Sequence, residues 1–97
     1  MAYKPWDKTL EKELIQLAVR ACELAGDEFL IIGKWEIAIS ANNRVAISEF
    51  ATPGHGKIVF SNYPGVKKIV NRRLCMFEVL PLLRAHPPLV LDQMAKI

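Results

Sequence analysis

His55 stands alone between Gly54 and Gly56, and the second histidine, His86, precedes two prolines. An imidazole on a glycine-flanked loop suits a ligand or a proton donor, yet the sequence sets no partner beside it. The glycines resemble a phosphate cradle in composition only, because no Lys-Ser/Thr pair follows them and no strand-to-helix context surrounds them. The two histidines do not fall at metal-ligand spacing, and no Ser or Cys occupies a nucleophile elbow. Asp27 and Glu28 are neighbours in sequence, which points their carboxylates apart. Cys22 and Cys75 each sit in an apolar, helix-like pattern, and two cysteines so far apart form neither a disulfide framework nor a paired-thiol redox motif. They read as reduced, buried thiols of a cytoplasmic protein. This inventory implies no metal and no cofactor, and it argues against an enzyme.

Two charged groups remain. Lys67, Lys68 and Arg72 form a basic set, with Arg73 beside it, that suits the phosphates of nucleic acid. Arg73 falls in an otherwise apolar helical arc, where a guanidinium needs a carboxylate such as Glu28, Glu36 or Glu49, or grips an anionic ligand. A small-ligand or catalytic site is therefore expected, if anywhere, near His55 or Arg73. Charge is also unevenly placed. Residues 1–50 carry a net of −2 and residues 51–97 a net of +5, within a total of +3. That asymmetry is a statement about partners and not about fold.

The elements that must position these groups are organised around residues 34–50. Trp35, Ile37 and Ile39 alternate with Glu36, Ala38 and Ser40, and Val45 and Ile47 alternate with Ala46 and Ser48. This is the period of a half-buried strand. A two-residue loop at Asn42-Asn43 would oppose Glu36 to Glu49 and mix the faces. A three-residue loop over 41–43, with Asn43 left-handed, pairs Ile39 with Val45, Ile37 with Ile47 and Ala38 with Ala46. Glu36 then neighbours Ser48, and Ser40 neighbours Arg44. Lys57–Ser61 supplies a third strand, with Ile58 and Phe60 on one side and Val59 on the other. Residues 29–40 read as one long strand bent at Gly33, and 51–56 as a loop.

Helices must cover the bulky face. Asp7 is an N-cap, Leu10, Leu14, Leu17, Ala18 and Ala21 form an apolar stripe, and Gly26 is a C-terminal stop. Trp6 is expected to fold back on Leu10. Residues 66–70 suit either a fourth strand or a helix start. The cleaner separation of faces predicts a helix from about Val66, with a kink or restart at Pro81. Pro88 opens a last short helix, Leu89–Ile97.

The expected architecture is a single α+β domain spanning 1–97, α-β-β-β-α(-α), with a three-stranded antiparallel sheet, four-stranded if 66–70 pair. Helices pack on one of its faces. Its order of helix, three strands and helix resembles that of double-stranded-RNA-binding domains. Here, however, the glycine-histidine loop lies between strands two and three rather than one and two, and Asn71 stands where their helix carries its third lysine. The resemblance is one of element order, and fold does not carry function. No apolar run approaches the ~20 residues of a membrane span, and 1–8 lack the apolar core of a secretory signal. The leading expectation is a non-enzymatic interaction protein with an unidentified protein partner, working as a homodimer. Its interface is expected on the apolar C-terminal third, at Met76, Val79, Leu82, Leu83, Leu91 and Met94. A nucleic-acid-binding module is the alternative, and a small-ligand binder or enzyme the third reading.

Overall fold

The computed structural model describes residues 6–52 and 55–86. The first helix, α1 (Lys8–Ala25), begins where the Asp7 carboxylate accepts the Leu10 N–H at 2.9 Å. It ends at Gly26, whose φ of 73° lets the cap N–H reach the carbonyls of Cys22 and Glu23. Both ends are where the capping chemistry places them. Trp6 packs against the core.

The sheet has five antiparallel strands in sequence order: β1 (Phe29–Ile32), β2 (Trp35–Ser40), β3 (Arg44–Thr52), β4 (His55–Ser61) and β5 (Ile69–Val70). The β2–β3 register is the expected one, with Ile37 opposite Ile47, Ile39 opposite Val45 and Glu36 opposite Ser48. The loop uses two left-handed residues rather than one, Asn42 at φ 64° and Asn43 at φ 57°.

Three expectations are corrected. Residues 29–40 are not one bent strand but a hairpin, in which Ile32 pairs with Trp35 across Gly33 and Lys34. Gly33 has φ 59° and Lys34 does not, the pattern of a type II′ turn with glycine first. The stretch 51–56 is not a loop throughout, because β3 runs to Thr52 and β4 starts at His55. Ile58 and Phe60 do not share a face either. Ile47 pairs with Phe60 and Ser48 with Ile58, so Val59 is an extra residue. This bulge turns Val59 and Phe60 both inward, at 0% exposure, and leaves Ile58 outside.

The second helix begins at Arg72–Leu74, six residues later than the apolar wheel suggests. Ile69 and Val70 are spent as β5, paired with Ser61 and Phe60, and the Asn71 side chain caps the helix by accepting the Leu74 N–H at 3.1 Å. The helix widens to π geometry over Cys75–Val79, with the Leu80 N–H donating to the Cys75 carbonyl, then continues in α form through 80–86. Pro81 neither breaks nor restarts it. A proline ring clashes with the carbonyl four residues earlier, and the widened turn that immediately precedes Pro81 relieves that clash. The expected last helix, with Leu91 and Met94, lies outside the described residues.

One core joins these parts. Leu14, Ala18 and Cys22 of α1 and Val79, Leu80 and Leu83 of the second helix bury with Trp35, Ile37, Val45, Ile47 and Phe60 of the sheet. Ion pairs tie the helices down. Arg84 donates to both Glu13 oxygens at 2.7 and 2.8 Å, and Lys34 bridges Glu49 at 2.9 Å and Glu78 at 3.3 Å.

Replacing Ile37 or Ile47 with Ala is expected to cost about 2–5 kcal/mol through the cavity it leaves. Replacing Ser48 with Ala should stay within about 0.5 kcal/mol. Urea denaturation of the variants checks both, and equal costs would mean that the sheet is buried on both faces.

Candidate functional site

Alternation along the strands sends a second set of side chains to the face away from the core. The residues directly opposite one another run across all five strands as Phe29, Ala38, Ala46, Ser61 and Ile69. The adjacent row is Ile31, Glu36, Ser48 and Ile58. Each row is bulky at its ends and small or polar in the middle. A Cβ built on Gly56 would lie 3.8 Å from the Ser48 Cβ, so the glycine continues the same small floor. Phe50 closes the floor at one end.

This face is open. Seven large hydrophobic residues are exposed among the described residues, and five of them lie here: Phe29 at 43%, Ile31 at 57%, Phe50 at 37%, Ile58 at 45% and Ile69 at 39%. The charges are few and placed apart. Glu36 lies in the row of Ser48, and Arg44 pairs with Ser40 four residues further along the strands.

Asn62 holds this arrangement in place, a role its position in a turn sequence did not suggest. Its side chain accepts the Val45 N–H at 2.7 Å and donates to the Asn43 carbonyl at 3.2 Å, while its own carbonyl accepts from Arg44 at 3.1 Å. The amide thereby acts as one more rung between β3 and β4. It also fixes the Arg44 guanidinium at the rim of the open face.

The residues singled out for chemistry do not converge. The backbone of His55 lies in β4 opposite Thr52, and its side chain is outside what is described. Arg73 is exposed and not buried in an apolar arc, because it stands in the first turn of a helix that starts at Arg72. Glu49, one of its expected partners, is held by Lys34. The basic set is not one helical face. Lys67 and Lys68 precede β5, Arg72 follows it, and Lys68 is paired to Glu11 at 2.6 Å. Two shallow grooves of about 410 and 390 Å³ flank α1, and Arg73 lines neither.

Of the residues expected at a dimer interface, Val79 and Leu83 are fully buried in the chain's own core. Met76 and Leu82 pack against that core and are half-buried. The bundle of α1, the second helix and the sheet thus absorbs much of the apolar surplus that pointed to a partner. No helix among the described residues is long and apolar enough to cross a membrane. No family model, curated protein or solved structure matches the chain.

Both thiols are buried and free, as expected. Burial pushes the Cys75 thiol up to about 12, against a weaker opposing hydrogen bond from the Asn71 backbone, and the thiol reaches the Val59 carbonyl at 3.5 Å. Burial, and then the Asp27 charge, raises Cys22 in the same direction. Neither thiol is therefore a nucleophile in the native state. A disulfide reagent should label neither cysteine before unfolding and both after. The unfolded thiol titrates at ~8.5, so the folded state holds the Cys75 proton over a window in which the unfolded chain releases it. The stability this thiol contributes is complete below that pH and is lost as pH rises towards about 12. The slope is at most about 1.4 kcal/mol per pH unit. Urea melts between pH 7 and 10.5 should show this decline, and Cys75→Ala should lessen it.

Proposed function

We propose that this protein is a non-enzymatic interaction module whose binding surface is the open face of the sheet. The observation that supports the reading is the gathering of Phe29, Ile31, Phe50, Ile58 and Ile69 on one face. Singly exposed hydrophobic residues are ordinary, but contiguous apolar surface of more than a few hundred Å² marks an interaction site. The described helices cover the other face, so fold stability does not require these side chains. The large apolar side chains flank a floor of small residues, and the face carries the charges of Glu36, within its row, and Arg44, at its rim. Catalysis has no comparable support, since among the described residues the carboxylates and thiols do not gather and both thiols are buried. Among the described residues, Lys67 and Lys68 are separated from Arg72 by β5, and Lys68 is paired to Glu11, so this set offers no continuous face to a phosphate backbone. A partner protein accounts best for the site, and self-association is one form that this takes.

A photo-crosslinking residue placed at Ile31 or Ile58 tests the reading in cells of the source organism. Crosslinks to protein should form at both positions, and not at Gln16 or Arg20 on the wet face of α1. The double variant Ile31→Lys, Ile58→Lys should melt within a few degrees of the parent while losing these adducts. Equal crosslinking from α1 and the sheet, or none from the sheet, would overturn the proposal.

A further inference from the structure

The side-chain sizes on the open face describe a trough, and its shape selects among occupants. The floor is Ala38, Ala46, Ser48, Gly56 and Ser61, and its walls are Phe29 and Ile31 on β1 and Ile58 and Ile69 on β4 and β5. Neighbouring strands are ~4.8 Å apart, so the walls stand about 14 to 19 Å from one another. An α-helix with its side chains measures ~10–12 Å across. We infer that the open face receives a single amphipathic α-helix of a partner protein, lying along β2 and β3 between the two walls. This inference rests on reading the face as a protein-binding surface, and it adds the shape and charge of what binds.

A second copy of the same face fits worse. About a two-fold axis lying across the strands, β1 would meet β1 and β5 would meet β5, setting wall on wall above an empty floor. An axis along the strands through the middle of the sheet also sets wall on wall, β1 against β5. Moving that axis to β2 seats a wall on a floor, but it brings Glu36 against the partner's Glu36, and opposing like charges is costly. A convex cylinder has neither defect. It places an apolar stripe of period 3.6 on the small floor, the usual manner in which a groove takes a helix.

Charge sets the direction. Glu36 and Arg44 lie four residues apart along the strands, roughly 13 Å at ~3.3 Å per residue. Asn62 steadies the Arg44 guanidinium through its carbonyl. A helix carries a partial positive charge at its N-terminus and a negative one at its C-terminus. The bound helix therefore starts over Glu36 and ends over Arg44, with a basic side chain in its first turns and an acidic one about two turns later. A two-turn spacing of ~11 Å matches the separation of the two charges.

The test uses the full chain and a hydrocarbon-stapled 18-residue helical peptide. The peptide has leucines at i, i+3, i+4 and i+7, lysine near its N-terminus and glutamate two turns on. A control peptide exchanges the two charges. Titration followed by amide NMR should show saturable binding, with shifts gathered at Ala38, Ala46, Ser48 and Ile58. The control should bind at least about tenfold more weakly. The variant Glu36→Lys, Arg44→Glu should reverse that preference, which a merely greasy surface would not do. Shifts confined to the α1 face, or equal binding of both peptides, would overturn the inference. So would a mass near twice 10.9 kDa that collapses on Ile58→Lys, since a second copy would then be the occupant. Sheet-specific crosslinks in cells without any peptide docking would overturn the helix alone and leave the interaction reading standing.

Discussion

The structure depends on Ile37 facing Ile47 across a three-residue loop. Side chains alternate along a strand, so this one pairing decides the face of every residue in β2 and β3. Trp35, Ile37, Val45 and Ile47 go under the helices, and Ala38, Ala46 and Ser48 go to the other side. A slip by one residue would bury the alanines and expose the isoleucines. Two features guard against it. Asn42 and Asn43 both take the left-handed backbone that the loop requires, and Asn62 bonds the last loop residue, Asn43, and Val45 at the start of β3. A core and an open face are thus two consequences of one register.

The second helix meets the sheet through a chain of local adjustments that share one residue. The bulge at Val59 aims two successive residues of β4 inward, and the freed Val59 carbonyl accepts the Asn71 N–H at 2.7 Å and the Cys75 thiol at 3.5 Å. Asn71 also caps the helix that begins at the next residue. That helix must then pass Pro81 without losing contact with the core. Its π segment places Cys75 and Val79 inward, and Leu80 and Leu83 follow them. Cap, bulge and widened turn are coupled, because each fixes a carbonyl or an N–H that the next one uses.

Where sequence and structure agree, the agreement comes from patterns of short range. Asp7, Gly26 and the alternation over 35–48 act within a turn or a single hairpin, so their physics is complete in the sequence. The departures arise where a distant partner decides. Gly33-Lys34 between two apolar runs is a type II′ signal, and it gives way to a bent-strand reading only because Phe29–Ile32 is apolar on both faces. The open face allows that pattern, since Phe29 and Ile31 are not buried. Ile69 and Val70 fit a helical wheel as well as a strand, and only Phe60 and Ser61, some ten residues away, decide for the strand. Arg73 follows from that same choice, as a helix starting at Val66 would carry it into the core. The π segment leaves no periodicity of its own, though Pro81 marks the place. The candidate site was legible as a set of small outward residues, and its walls were not, because they belong to β1, β4 and β5.

Strand lengths set how much of this sheet's edge a partner strand could pair with. An exposed edge offers unpaired N–H and carbonyl groups to any passing strand, and proteins blunt this hazard by keeping edges short. Both edges of this sheet are short: β1 has four residues and β5 has two, beside the nine of β3. The connection from β5 into the second helix follows within one residue, so that edge cannot lengthen towards the C-terminus. Backbone pairing along these edges is therefore restricted to a few rungs. The open face spans all five strands, with its small floor on the central ones, where every ladder is already satisfied. On the proposed reading a partner would gain there from side-chain contact and not from backbone hydrogen bonds. Side chains discriminate by size and charge in a way that a strand edge cannot, and the small floor rewards a ligand that brings the bulk itself.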